Sequence, residues 1–322
     1  MASVKEISII IPTMNRKETL KECLTKIKAS KGRIKEIIII DQSKNPIDIE
    51  YLKQFTREDY KFKLIYQKKP SSTKARNKGI DNSTGDILLF MDDDTLIEED
   101  VIIEVLEDFN DNSISLVAAI DSLSDTKQKY QDIFGQVFFR KNIKKNKKGY
   151  VCKGAFLGRY PSKKNNSQKY IKTEWAMGYF FAIKKDIVDE YNLRFDENLI
   201  SYAYSEDLDF TYSCYKISKK NNNKMFINTN IRIKHLGSQE FRVENKKTLS
   251  MYVINRLYFS YKHFKNPIYR VVMIWSDIGE VIRRIIVKSE YKQIIKAYIE
   301  CLKNKKDLKN KKINEKLLEL IR

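Results

Sequence analysis

The chain has 322 residues, of which 42% are hydrophobic and 32% charged, and it carries a formal net charge of +20. That balance excludes a disordered chain, and the length suits one large α/β domain or two smaller ones. The basic excess favours an anionic partner and does not by itself choose among nucleic acid, acidic lipid and a phosphorylated substrate.

The elements follow in chain order. Residues 7–11 (ISIII) form a short apolar, β-branched run before Pro12 and predict a buried strand. Over 17–29, Leu20, Cys23, Leu24 and Ile27 recur at helical spacing, with Asn15 as the expected cap. Further buried strands are expected at 37–40, ending at Asp41, at 63–66, and at 87–91, ending at Asp92. A helix over 98–109 places Val101, Ile102, Val105 and Phe109 on one face. Residues 133–173 hold no acidic side chain, and the lysine-rich stretches 142–148 and 162–169 read as solvated loop before regular structure resumes near 173–183. From about 245 the character changes: 268–286 carries one apolar helical stripe, and the tail from 302 is lysine-rich with a helical pattern. These shifts divide the chain into 1–240 and a basic, mainly helical 241–322.

Continuously apolar strands alternating with helices predict an α/β fold with a mostly parallel sheet covered on both faces. Ligands of such sheets bind beyond the carboxyl ends of the strands. Pro12-Thr13, Asp41 and the Asp92-Asp93-Asp94 triplet all fall there. Adjacent carboxylates repel one another, so a cation beside them is expected, and oxygen ligands suit Mg2+ or Mn2+. The alternative is an acidic turn capping the helix from Glu98. Leu96 and Ile97 exclude an EF-hand loop, and the chain holds neither a P-loop nor a G-x-G-x-x-G fingerprint.

Three further segments carry polar chemistry. Tyr204-Ser205-Glu206-Asp207-Leu208-Asp209-Phe210 opens a helical pattern, where a carboxylate can serve as a general base or simply as an N-terminal cap. His235 is one of two histidines and fits either a metal shell or the core. Ser72 to Gly79 sets Lys74, Arg76 and Lys78 at a helix start, for anion recognition or a solvated face. The four cysteines, Cys23, Cys152, Cys214 and Cys301, are widely spaced, which predicts free thiols in a reducing compartment. With no signal-like or spanning segment in view, a cytoplasmic protein is expected.

Taken together and in order, SIIIPTMNR (8–16), IIIIDQS (37–43), STKARNKGI (72–80), ILLFMDDDT (87–95), WAMGYFFAIKK (175–185), RFDENL (194–199), YSEDLDF (204–210) and IKHLG (233–237) resemble the family 2 glycosyltransferases of the GT-A fold. The resemblance covers about 5–240 and implies a nucleotide-sugar donor, most commonly a UDP-sugar, and a divalent metal, Mn2+ or Mg2+. It implies Pro12 and Thr13 in the nucleoside pocket, Asp41 on the base and Arg76 on the nucleotide side. Asp94 would bind the metal and Asp92 the ribose or donor sugar, with Asp93 also on the donor side and His235 near the metal. Asp207 matches the catalytic base and Glu206 its acceptor-side neighbour, which implies inversion. Trp175 and Gly178 fall in the donor-sugar and acceptor pocket, where Trp175 or Tyr179 would stack on a sugar or pack in the core.

Residues 251–264 resemble a segment that follows the catalytic domain in bacterial polysaccharide-building glycosyltransferases. With the 268–286 stripe they suggest a helix on an anionic membrane at the inner face of the cell membrane, and a lipid-linked saccharide acceptor. A helical cap on the catalytic domain or a homo-oligomer contact is the alternative. Two competing functions are a basic nucleic-acid-binding protein, disfavoured by carboxylates at the strand ends, and a metal-dependent nucleotidyltransferase on a related sheet.

Overall fold

A computed structural model describes residues 5–123, 132–140, 148–160, 168–199, 205–237 and 245–321. The expected loops at 142–148 and 162–169, and Tyr204, lie largely or wholly outside these residues. In chain order the elements begin with β1 (Ile7–Thr13), α1 (Lys17–Ala29), β2 (Ile34–Asp41), α2 (Ile49–Lys53), β3 (Lys61–Tyr66) and α3 (Ser72–Asp81). Next come β4 (Ile87–Met91), β5 (Thr95–Ile97), α4 (Val101–Asp108), β6 (Ile114–Asp121), α5 (Asp132–Val137), β7 (Tyr150–Cys152) and β8 (Leu157–Arg159). They are followed by β9 (Tyr170–Lys172), β10 (Phe180–Lys184), α6 (Lys185–Glu190), α7 (Glu206–Lys220) and β11 (Lys224–His235). The chain ends with α8 (Asn245–His263), α9 (Ile268–Ile286), α10 (Lys292–Lys303), α11 (Lys305–Lys309) and α12 (Glu315–Glu319).

The chain divides into two compact units: 1–125, 167–197 and 206–239 in the first, 126–166, 198–205 and 240–322 in the second. The first holds a sheet in the order β3-β2-β1-β4-β10-β6-β11-β5, with β9 pairing β11. The β3-β2-β1-β4 half is parallel, as expected for an α/β fold. β10 inserts antiparallel between β4 and β6, which its apolar run could not announce because burial on both faces looks the same in either direction. Residues alternate across the strand, and this accounts for the helices on both faces. Ile7, Ile9 and Ile11 join Leu20, Leu24 and Ile27 of α1 in one core. Ile10 points the other way, and a Cβ on Gly79 of α3 would lie 2.3 Å from its Cγ2, so only glycine lets that helix settle here.

Asn15 is not the cap of α1. It sits at φ 57, the cap position is Arg16, and the Asn15 Oδ1 accepts instead from the Lys44 backbone N–H at 3.0 Å. The acidic-cap alternative for Asp92–Asp94 also fails, because the triplet runs into strand β5 and α4 starts only at Val101.

One buried acid went unnoticed in the sequence. Glu36 of β2 is 3% exposed and accepts from Ser8 Oγ at 2.7 Å, from the Thr84 N–H at 2.6 Å and from Lys63 Nζ at 2.6 Å. Burial acts to raise its pKa, but Lys63 and the hydroxyl and amide donors outweigh burial, and the net shift is downward. Glu36→Gln is expected to cost about 1–3 kcal/mol at neutral pH, Lys63 being partly exposed. A lowered folded pKa contributes stability above the ordinary carboxylate value and loses it as pH falls through the folded value. Urea unfolding of both proteins should therefore show a gap at neutral pH that closes in acid.

Candidate active site

The carboxyl ends of β1, β4 and β11 meet at one rim, and local pairing explains how. After β4 the chain turns, with the Thr95 N–H donating to the Asp92 carbonyl at 3.1 Å. The turn is pinned to Tyr179, whose carbonyl accepts from the Asp92 N–H at 3.2 Å and from Thr95 Oγ1 at 3.0 Å. β5 then pairs antiparallel with the end of β11, Thr95 opposite His235, and the Leu236 N–H donates to the Asp94 carbonyl at 3.0 Å. Strand pairing thus brings His235 beside an aspartate far from it in sequence. Its Nε2 lies 3.3 Å from Asp94 Oδ1, and its ring stacks on Tyr179 with centroids 5.0 Å apart.

Ligand atoms of Asp92, Asp94 and His235 all lie within 4.8 Å of one another. The resemblance implies Asp94 and His235 near one metal; the structure adds Asp92, whose side chain is the more open of the two acids at 32% exposed against 5%. Two carboxylate oxygens and an imidazole nitrogen form a donor set that suits Mn2+ or Mg2+. Partial burial works to lower the His235 pKa, but the Asp94 carboxylate outweighs it and the net shift is upward.

Asp93 turns away from this group. It is 4% exposed, accepts from Thr13 Oγ1 at 2.7 Å and from Arg16 Nη1 at 3.2 Å, and so ties the end of β4 to β1. Burial, chiefly, pushes its pKa up to about 6. Both of its oxygens are thus engaged within the rim. Arg16, which sequence reading passed over, also reaches Asp94 Oδ2 at 3.7 Å.

Asp41 is likewise turned into its own loop. It is 1% exposed, and its two oxygens accept from the Ser43 N–H at 2.8 Å and the Ile47 N–H at 2.7 Å, so the carboxylate braces the β2 turn. Pro12 is half-buried and Thr13 buried at the end of β1. Trp175 and Tyr179 are 6% and 9% exposed and offer no broad open face for stacking.

Arg76 lies between two acidic groups rather than on an open basic face. It is 3% exposed and donates through Nη2 to Asp92 Oδ1 at 2.8 Å and through Nη1 to Glu206 Oε1 at 2.8 Å and Ser72 Oγ at 2.6 Å. The neighbouring Asn77 amide clasps the backbone of Phe195, accepting from its N–H at 2.8 Å and donating to its carbonyl at 2.9 Å. Lys74 of the same helix is exposed.

Glu206 and Asp207 open α7 in contrasting surroundings. Burial first, then the Asp207 carboxylate, push Glu206 up to about 8. Asp207 also rises through burial, but the N–H groups of Gly178 at 2.9 Å and Leu208 at 2.7 Å oppose the rise by donating to its carboxylate. A Cβ on Gly178 would sit 3.2 Å from Asp207 Cβ and 3.4 Å from Arg76 Nη2, so this glycine makes room for both. Asp121 at the end of β6, which no sequence motif marks, accepts from the His235 backbone N–H at 3.2 Å.

Known proteins are similar to this chain in sequence and in fold. GlyA of Streptococcus pneumoniae is 29% identical over 97 residues, covering 30% of this chain and 14% of that protein. The GalNAc(5)-diNAcBac-PP-undecaprenol beta-1,3-glucosyltransferase of Campylobacter jejuni is 23% identical over 198 residues, 60% of this chain and 55% of that protein. The chain therefore spans about half of the second relative's length and a small part of the first's. Among solved structures, S. aureus TarS 1–349 in complex with UDP-GlcNAc superposes with a TM-score of 0.56 at 12% identity, covering 91% of this chain and 79% of that one. The mannosyltransferase PcManGT of Pyrobaculum calidifontis, in complex with GDP-Man and Mn2+, gives 0.55 at 12% identity, covering 99% and 86%. At that identity the two structures bear on the fold, which is GT-A. The family model described as glycosyl transferase family 2 matches residues 8–192, and the chain belongs to that family.

Proposed function

We propose that this protein is a metal-dependent, inverting glycosyltransferase that takes a sugar from a nucleotide-diphosphate donor. The observation that carries the reading is the gathering of Asp92, Asp94 and His235 within 4.8 Å at the strand ends. Asp94 and His235 would hold Mn2+ or Mg2+, with Asp92 in reach of the ion or of the donor ribose and sugar. When bound, the cation offsets the charge that builds on the departing diphosphate.

The protein's own groups supply the rest. Arg76 clamps Asp92 and Glu206 in one arrangement, fixing the donor side against the acceptor side. Of the two adjacent acids, Asp207 is the better base: its backbone donors favour the ionised form, whereas Glu206 is pushed toward holding a proton. Asp207 would take the proton from the acceptor hydroxyl as that oxygen attacks the anomeric carbon from the face opposite the diphosphate, and inversion follows. The solved neighbours' UDP-GlcNAc and GDP-Man support a nucleotide-sugar donor, a UDP-sugar being the first to try. The undecaprenol-linked substrate in the Campylobacter relative's name supports a lipid-linked saccharide acceptor and work at a membrane surface in cell-surface polysaccharide synthesis. The division into a catalytic 1–240 and a basic helical 241–322 belongs to the same proposal.

A panel of nucleotide sugars with Mn2+, read by thermal stabilisation and by the nucleotide released, tests it. Release of nucleoside diphosphate with one donor supports the proposal. Pyrophosphate release from a nucleoside triphosphate, with no response to any nucleotide sugar, would replace it with nucleotidyl transfer.

A further inference from the structure

α9 is built inside out. The eight positions most open to solvent along it are all apolar, and Val271, Ile274, Trp275, Ile278, Ile282 and Ile285 are 38–61% exposed. On a helix of 3.6 residues per turn the eight fill a sector of roughly 120°. The inward face carries the charges. Asp277 is 2% exposed and accepts from Arg256 Nη1 at 2.8 and 3.0 Å, while Glu280 meets Arg140 Nη2 at 3.2 Å and Arg284 Nε at 2.8 Å. A water-facing helix has the opposite arrangement, and an apolar face of this length left in water is unfavourable.

The Trp275 indole is prepared for an apolar medium. Its N–H donates to the Val137 carbonyl at 3.0 Å, and its ring stacks on Phe138 with centroids 5.1 Å apart. Its only donor is thus satisfied within the protein while 44% of the residue stays open. Val137 and Phe139 beside it are 55% and 51% exposed. α10 repeats the theme: Ile295, Ile299 and Leu302 are 45–64% exposed, with Lys292, Lys296 and Lys303 exposed alongside.

Charge selects what covers the face. Residues 245–322 hold nineteen Lys or Arg against seven Asp or Glu, a net of +12 out of the chain's +20. A second copy would set one strongly basic surface against another, at a cost in repulsion. An anionic lipid surface complements both features, with acyl chains for the stripe and headgroups for the lysines. No described helix is long and apolar enough to cross a membrane, so α9 would lie in the interface plane.

We propose that the outward face of α9, with the lysines of α10, docks this protein on an anionic bilayer surface. The inference gives a structural basis to the membrane-surface work proposed above, yet rests on this helix rather than on the donor chemistry. Full-length protein is mixed with phosphatidylcholine vesicles, with or without phosphatidylglycerol, in the absence of donor and acceptor. The protein should co-sediment with the anionic vesicles, and Trp275 emission should shift to the blue, a shift absent in Trp275→Phe. Ile274→Asn/Ile278→Asn should weaken partitioning about tenfold or more, and Lys292→Ala/Lys296→Ala should weaken it by a similar factor, about tenfold. Both double variants alter exposed positions, so an unchanged urea midpoint separates lost docking from lost folding. Absence of binding by the parent protein overturns the inference, as does equal binding by the Ile274→Asn/Ile278→Asn variant. A lipid-free dimer that this variant dissolves, with no vesicle binding by the parent, also overturns it in favour of a second copy. Since no donor is present, either result leaves the transferase proposal standing or falling by its own test.

Discussion

Asp94→Ala is expected to lower kcat/KM by about a thousandfold or more and to remove the response to added Mn2+. The residue is 3% exposed, and its position is fixed from both sides by β4 and the β5–β11 pairing. Its loss removes one ligand of the three gathered at the rim and leaves His235 without the carboxylate 3.3 Å away. The fold should survive. Asp92 and Asp94 bring two carboxylates within 4.8 Å of each other, and removing one relieves repulsion in the metal-free protein. Thermal unfolding without metal should therefore show Asp94→Ala as stable as the parent or more so, while the stabilisation on adding Mn2+ with nucleoside diphosphate disappears. Such a trade of stability for function is what a built cation site produces. A variant that lost activity through misfolding would show the reverse.

Asp207→Asn separates binding from chemistry. The amide retains the size of the carboxylate and leaves Arg76 with its partners Asp92 and Glu206. Donor affinity should therefore stay within about threefold of the parent, whereas transfer should fall by about a hundredfold to ten-thousandfold, the range for removal of a positioned general base. The sign of the pH dependence follows from the raised Asp207 pKa, caused first by burial. A base works ionised, so kcat/KM should fall as pH drops through a value above the ordinary aspartate range. Residual Asp207→Asn activity should lack that limb. Equal losses in donor affinity and in transfer would instead mark Asp207 as a donor-binding residue.

The parts of this site that could be read in the sequence are those in which one short segment carries both signal and position. Apolar runs at 7–11, 37–40 and 87–91 announce buried strands, and the polar residues following them must stand at the ligand edge. What stayed hidden depends on pairing across long separations. β5 has only three residues, too few to show a period, yet it carries His235 to Asp94. Asp41 and Asp93 look like open ligands in sequence, and only the loop amides and Thr13 reveal that they brace the rim. Arg76 was legible as an anion binder; that its anions belong to the protein required the α7 segment in place. The stripe of α9 was plain at 268–286, but its outward direction follows from Asp277 having Arg256 beneath it.

The central claim is that a divalent cation sits among Asp92, Asp94 and His235 when nucleotide is bound. Crystals grown with Mn2+ and a nucleoside diphosphate, measured at the manganese absorption edge, test it most directly. An anomalous peak in contact with Asp94 and the nucleotide's phosphates is the expected result. Nucleotide in clear density with no such peak at the rim, or with manganese held elsewhere, would contradict the account.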